Sequence, residues 1–170
     1  VENGIEECGI SEHAHRFREA RGIYDHLPYT EKWCDSSLEE YVNFVTQLKK
    51  DYPVKLGIEM DYLPEKESEI KDFLMRYDVF DYVLGSVHWL QSGFGFDIDP
   101  NDPRWSNDLE EIFFDYFDRV KRAIHSGLFD IIAHIDLIKL WGVPLPAHID
   151  DIYMDMGRII SASNAALEIN

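Results

Sequence analysis

The chain has 170 residues, 45% hydrophobic and 29% charged, which is enough apolar material for one folded domain and too much for a disordered one. Acids outnumber bases 33 to 16, for a formal charge of −17, and such a surface repels nucleic-acid phosphates and anionic membranes, so neither is expected as a partner. The two cysteines, with no C-x-x-C spacing, exclude a zinc ribbon or thioredoxin-type centre and suit a reducing, cytoplasmic setting, and no apolar run approaches the roughly 20 residues of a membrane span.

In chain order, short apolar runs alternate with amphipathic stretches. The first residues, "VENGIEECGI", read as the end of a helix leading into a strand, "CGIS" (8–11). A long connection follows. In "SSLEEYVNFVTQLKKDY" (36–52), Leu38, Tyr41, Val42, Val45 and Leu48 recur at helical spacing. Ser36 or Ser37 is placed to cap it, with Glu39 or Glu40 near the third helical position. "VKLGIEM" (54–60) is the next strand and "EKESEIKDFLMRY" (65–77) the next helix. "DYVLGSV" (81–87) is a third strand, followed by a Gly-, Asp- and Pro-rich loop from Leu90 to about Ser106. "NDLEEIFFDYFDRVKRAIHSG" (107–127) is the clearest helix: Leu109, Ile112, Phe113, Tyr116, Phe117, Val120 and Ile124 share a face and Gly127 ends it. "FDIIA" (129–133), a helix over 147–163 and "AALEI" (165–169) complete the series. Repeated strand–helix alternation with nearly solid apolar strands predicts an α/β fold with a parallel sheet covered on both faces. The chain starts at Val1 and stops in a strand-like segment without a cap, so both ends are expected to lie inside a larger domain.

The ionisable residues fall on this map in a pattern. His13 lies just past the first strand, Glu59 sits in the end of the second, His88 follows the third and His134 the fourth. In parallel α/β folds the carboxyl ends of the strands are where ligands bind. A single strand-end histidine is more often a packed or surface residue. Four consecutive strands each delivering a metal-capable side chain point to a shared metal site. Glu59, beside Leu56 and Ile58, is costly to bury unless a cation or a salt bridge to Lys55 or Arg16 meets it. Imidazole with carboxylate suits Zn, Mn or Fe ions better than Ca. His26, His125 and His148 lie in a loop or on helices and read as ordinary.

"GISEHAHRF", "LGIEMDY", "GSVHWL", "DIIAHIDLIK" and "ALEIN" resemble, in order and spacing, the motifs of the PHP (polymerase and histidinol phosphatase) superfamily, with closest likeness to its monofunctional histidinol-phosphatase branch in histidine biosynthesis. The likeness runs over the whole of 1–170, read as a single PHP domain. It implies a distorted (β/α)7 TIM-like barrel, incomplete in this chain, with up to three divalent metal ions at its carboxyl face. Glu59 then bridges two ions, His88 and His134 complete the ligands of one, and His13 helps to hold another; Glu59, His88 and His134 are the catalytic set. The family's H-x-H pair on the first strand and D-x-H pair on the last have no counterpart here, since "HAH" (13–15) aligns with the second motif.

The reaction implied is hydrolysis of L-histidinol phosphate, a small-molecule phosphomonoester, by a hydroxide that bridges metal ions. His15 and Arg16 are candidates to touch phosphate. Phe96, Asp97 and Trp105 in the 90–106 loop are candidates to wall the substrate pocket, and an acid there or at Asp61 would suit the substrate's amine. Asp136 is expected to orient a ligand or its turn rather than bind metal, and Glu168 receives no role. The alternatives are another phosphoesterase of the same superfamily, or a non-catalytic truncated barrel that binds metal. The metal's identity and the oligomeric state are left open by the sequence.

Overall fold

A computed structural model describes residues 4–28 and 30–168. Two compact units are distinguished, Val1–Met60 with Ser68–Leu84, and Asp61–Glu67 with Gly85–Asn170. Strands β1 (Cys8–His13), β2 (Val54–Asp61), β3 (Tyr82–Ser86), β6 (Ile131–Ile132) and β7 (Ala166–Leu167) form one sheet in the order β1-β2-β3-β6-β7. β1 runs parallel to β2, and β6 parallel to β7. The order never reverses, so each crossover moves the same way along the sheet. That winding is the barrel type, not the doubly wound type, whose strand order turns back at a switch point. Among the described residues the sheet is open, with β1 and β7 at its edges. The expected Ile169 end of the last strand lies outside the described residues.

In the first unit, the connection after β1 is built of short turns: 3-10 turns at Ala14–Arg16 and Arg18–Ala20, then helices α1 (Arg21–Tyr24) and α2 (Thr30–Trp33). Helix α3 (Leu38–Leu48) follows, with Ser37 capping it by accepting from the Glu40 amide at 3.3 Å. Leu38 and Val45 on its predicted face are buried. Tyr41, half-buried on that face, donates its hydroxyl to the carbonyls of Ile10 and Gly57, both at 2.8 Å, and so ties α3 to β1 and β2. Burial pushes the Tyr41 pKa up to about 12, so this donor stays protonated at any physiological pH. The Tyr82 ring lies over Gly9 and Gly57, where a Cβ would overlap it. Helix α4 (Glu67–Arg76) buries Ile70 and Phe73.

The second unit holds helix α5 (Leu109–Ser126), capped by the Asp108 carboxylate at 2.9 Å from the Glu110 amide and ended by Gly127 at φ 66°. Of its predicted face, Ile112, Phe113, Tyr116, Phe117, Val120 and Ile124 are buried and Leu109, in the first turn, is half-buried. Helix α6 (Ile149–Ser161) packs along it, with the Phe117 and Tyr153 rings edge to face at 5.8 Å and a Lys121–Asp155 ion pair. The 90–106 region is more ordered than a loop. Strands β4 (Trp89–Leu90) and β5 (Phe94–Gly95) form an antiparallel hairpin whose turn places Ser92 at φ 56° and Gly93 at φ 65°. Two-residue strands are too short to show a period, so "QSG" was the only available signal. The strand expected over 129–133 contracts to Ile131–Ile132, while Phe129 turns its ring onto Gly85 and Tyr62.

β2 and the entry to β3 are locked together by Asp81. Its carboxylate accepts from the Leu56 amide at 2.6 Å and pairs with Lys49, and its own amide donates to the Leu56 carbonyl at 2.7 Å. The Lys49 ammonium, helped by the Leu56 amide, holds the Asp81 pKa below the ordinary carboxylate value. A depressed folded pKa stabilises the fold above the unfolded pKa, about 3.9, and that contribution is lost as pH falls through the folded value. Urea midpoints should therefore fall on acidification below about pH 4, and Asp81→Asn should be less stable at neutral pH with a shallower acid loss. Parallel wild-type and variant curves across that range would contradict this role.

Candidate metal centre

Each site residue is placed by its strand. β1 and β2 pair with His13 opposite Glu59, and the two side chains meet at 3.6 Å between His13 Nδ1 and Glu59 Oε1. Lys55, one of the bases available to Glu59 on sequence grounds, pairs instead with Glu7 at 3.3 Å. Two ligand atoms about 2.1 Å from a tetrahedral ion lie roughly 3.4 Å apart. The His13–Glu59 separation is close to that value and too long for a hydrogen bond, so this donor pair fits a shared divalent cation.

Around it, the His15 ring stacks on His13 at 4.9 Å and lies 5.5 Å from the Trp33 ring and 6.3 Å, edge-on, from Tyr24. Arg16 is exposed, its guanidinium carbon 5.8 Å from the Trp33 ring centroid. Of the two residues nominated for phosphate, His15 borders His13, and Arg16 lies over the Trp33 ring that neighbours His15.

Successive strand residues point to opposite sides, so Glu59 and Asp61 project from the same side of β2. Asp61 belongs to the second unit, where it is fully buried and its Oδ1 lies 2.5 Å from His88 Nδ1. Asp61, offered to a substrate amine on sequence grounds, is enclosed against an imidazole and so is placed to orient His88. A carboxylate on Nδ1 fixes that nitrogen as the N–H and leaves the Nε2 lone pair for a ligand. The ring centroids of His88 and His134 are 5.0 Å apart. An imidazole pair with one ring oriented by a carboxylate is the donor chemistry of a Zn, Mn or Fe site.

His134 has a backbone φ of 22°, a conformation that costs a non-glycine residue about 1–3 kcal/mol and persists only where its surroundings hold it. Three hydrogen bonds do so. The His134 amide donates to Glu168 Oε2 at 3.2 Å, and its carbonyl accepts from the Leu137 amide at 3.0 Å and the Tyr116 hydroxyl at 3.2 Å. Burial raises the Tyr116 pKa far above the ordinary phenol value, keeping that donor protonated. Glu168 and Tyr116 had no assigned role in the sequence reading. Their part depends on contacts 34 and 18 residues away, which no local pattern encodes. Asp136 pairs with Lys139 at 2.7 Å and so braces the turn after His134.

The three loop candidates divide. Phe96 is fully buried, edge-on to Tyr116 at 5.3 Å and to Trp105 at 6.5 Å, so its ring belongs to the core and not to an open pocket wall. Trp105 packs edge-on to Phe94 at 5.3 Å, its Nε1 buried without a hydrogen-bond partner among the described residues. Asp97 Oδ1 is buried in the same way. Burial pushes the Asp97 pKa up, opposed by the charges of His88 and His134 and reinforced by that of Asp61.

The PHP domain family model matches residues 1–170. The chain belongs to the PHP domain family. A protein of Deinococcus radiodurans named probable histidinol-phosphatase is 32% identical over 163 residues, 86% of this chain and 59% of that protein. A protein of the same name from Schizosaccharomyces pombe is 28% identical over 156 residues, 83% of this chain and 49% of that one. The chain therefore spans about half to three-fifths of the length of these curated relatives. The crystal structure of a Listeria monocytogenes protein that bears the name histidinol phosphatase superposes with a TM-score of 0.79 at 21% identity, covering 98% of this chain and 71% of that one, and so shares the PHP fold.

Asp61→Asn should weaken Zn²⁺ or Mn²⁺ binding by about 10- to 100-fold, because it removes the group that fixes the His88 tautomer. Competitive metal titration measures this; an unchanged affinity would show that Asp61 does not act through His88.

Proposed function

We propose that this PHP domain hydrolyses L-histidinol phosphate to L-histidinol and inorganic phosphate in a divalent-metal-dependent reaction. The observation that carries the reading is the placement of His13, Glu59, His88 and His134 at the carboxyl ends of successive strands in a PHP sheet of unreversed order. The names of the relatives from D. radiodurans and S. pombe support the substrate. Among the described residues no helix is long and apolar enough to cross a membrane.

In this reading Glu59, His88 and His134 would hold the catalytic ion, and His13 with Glu59 would help to hold a second. A divalent cation supplies Lewis acidity toward the phosphoryl oxygens and activation of the attacking water. The chain's own groups do the rest. Glu59 brings the negative charge that retains cations among neutral imidazoles. Asp61 keeps the His88 proton on Nδ1, and the bonds to the His134 amide and carbonyl fix the backbone from which its ring projects. His15, stacked on His13, and the exposed Arg16 are the groups this reading gives to the phosphate oxygens. The formal charge of −17 leaves the cations as the attraction for an anionic ester and opposes a nucleic-acid substrate.

Glu59→Gln in the intact protein should lower phosphate release from L-histidinol phosphate by about 100-fold or more, with Mn²⁺ or Zn²⁺ supplied. Turnover equal to wild type would contradict the assignment.

A further inference from the structure

Asp97 is not used by the chemistry above, yet it is built into the same unit as His88 and His134. Its backbone is fixed on both sides. Phe96, the preceding residue, is fully buried, and its carbonyl accepts from Trp141 Nε1 at 2.8 Å; the Ile98 amide donates to the Gly95 carbonyl at 3.2 Å. A loop held this way presents a side chain in one position. Asp97 is half-buried and its carboxyl group accepts from its own backbone amide, but its Oδ1 is buried with no hydrogen-bond partner among the described residues; the side-chain charges that act on it are those of His88, Asp61 and His134.

A desolvated carboxylate needs a cation or donors. Three bases of this unit pair with other acids: Arg104 makes a two-point contact with Asp102 at 2.9 and 2.6 Å, Lys139 pairs with Asp136, and Arg119 pairs with Asp115. Asp61 adds negative charge on the same side. Nor does Asp97 belong to any group of three or more ligand atoms within 4.8 Å of one another among the described residues, which argues against a directly bound metal ion. A cation brought by the substrate would meet the charge of the carboxylate as well as the open Oδ1.

We propose that Asp97 is the specificity-determining residue of the site, receiving the protonated amine of an amino-alcohol phosphate ester. The inference rests on the phosphatase reading and names the group that selects the substrate. The ammonium donates to Oδ1, the reacting phosphoryl group lies at the histidines, and the aliphatic spacer between them sets the distance. Esters lacking the amine leave the buried Oδ1 without a partner, which is a stronger basis for rejection than a missing apolar contact.

The test compares wild type, Asp97→Asn and Asp97→Glu as intact, metal-loaded protein. The substrates are L-histidinol phosphate and the amine-free 3-(imidazol-4-yl)propyl phosphate; calorimetry measures binding of the two corresponding alcohols. Asp97→Asn should lower kcat/KM for the amine ester on the order of 30- to 100-fold, mostly through KM, with a far smaller effect on the amine-free ester, unchanged metal content and partial recovery in Asp97→Glu. Equal losses on both esters, or lost metal, would overturn the proposal. If wild type hydrolyses neither ester, the phosphatase reading fails and the calorimetry still decides: selective weakening of L-histidinol binding by Asp97→Asn supports the role, and equal binding by wild type and variant overturns it.

Discussion

Strand β2 must carry two carboxylates, Glu59 and Asp61, in a segment whose other residues build the core, among them the fully buried Ile58 and Met60. Burying a carboxylate is expensive unless something positive or hydrogen-bonding meets it. Each acid is met by an imidazole, Glu59 by His13 at 3.6 Å and Asp61 by His88 at 2.5 Å. The two separations do different work. The short one is a hydrogen bond that sets a tautomer, and the longer one leaves the spacing of two ligands on one ion. Strand alternation makes this division possible, because residues 59 and 61 share a side of β2 while Ile58 and Met60 face the other way.

The rest of the fold holds those groups in place at some conformational cost. Tyr41 and Asp81 fasten the helix before β2 and the strand after it onto the β2 backbone, at Gly57 and Leu56. His134 keeps a positive φ because three partners hold its amide and carbonyl. Strain at a candidate ligand, absorbed by surrounding hydrogen bonds, is the pattern of a preorganised site. A net charge of −17 repels anions, so cations that balance Glu59 would also suit the phosphate ester proposed as substrate. The role proposed for Asp97 extends the same logic to the other end of that ester.

The parts of this arrangement that were legible in the sequence are those written in short-range periodicity. Strand-end positions of His13, Glu59, His88 and His134 follow from where apolar runs stop, and the α5 face from its 3.6-residue repeat. The parts that were not legible depend on packing between distant segments. Asp61 looked available to a ligand because nothing local shows that His88, 27 residues on, closes over it. Phe96 resembled a pocket aromatic until Tyr116 and Trp105 enclosed it. The β4–β5 hairpin and the truncated β6 were obscured because two-residue strands carry no period.

The central claim is that the Asp61-oriented His88 and its neighbour His134 are ligands of one metal centre. Anomalous scattering from crystals of the intact protein grown with Mn²⁺ or Zn²⁺, recorded at the metal edge, tests it most directly. The account predicts a peak about 2.0–2.2 Å from His88 Nε2 and from a His134 ring nitrogen, with Asp61 still on Nδ1. A peak on Asp61 with His88 turned away, or metal bound without His134, would contradict it.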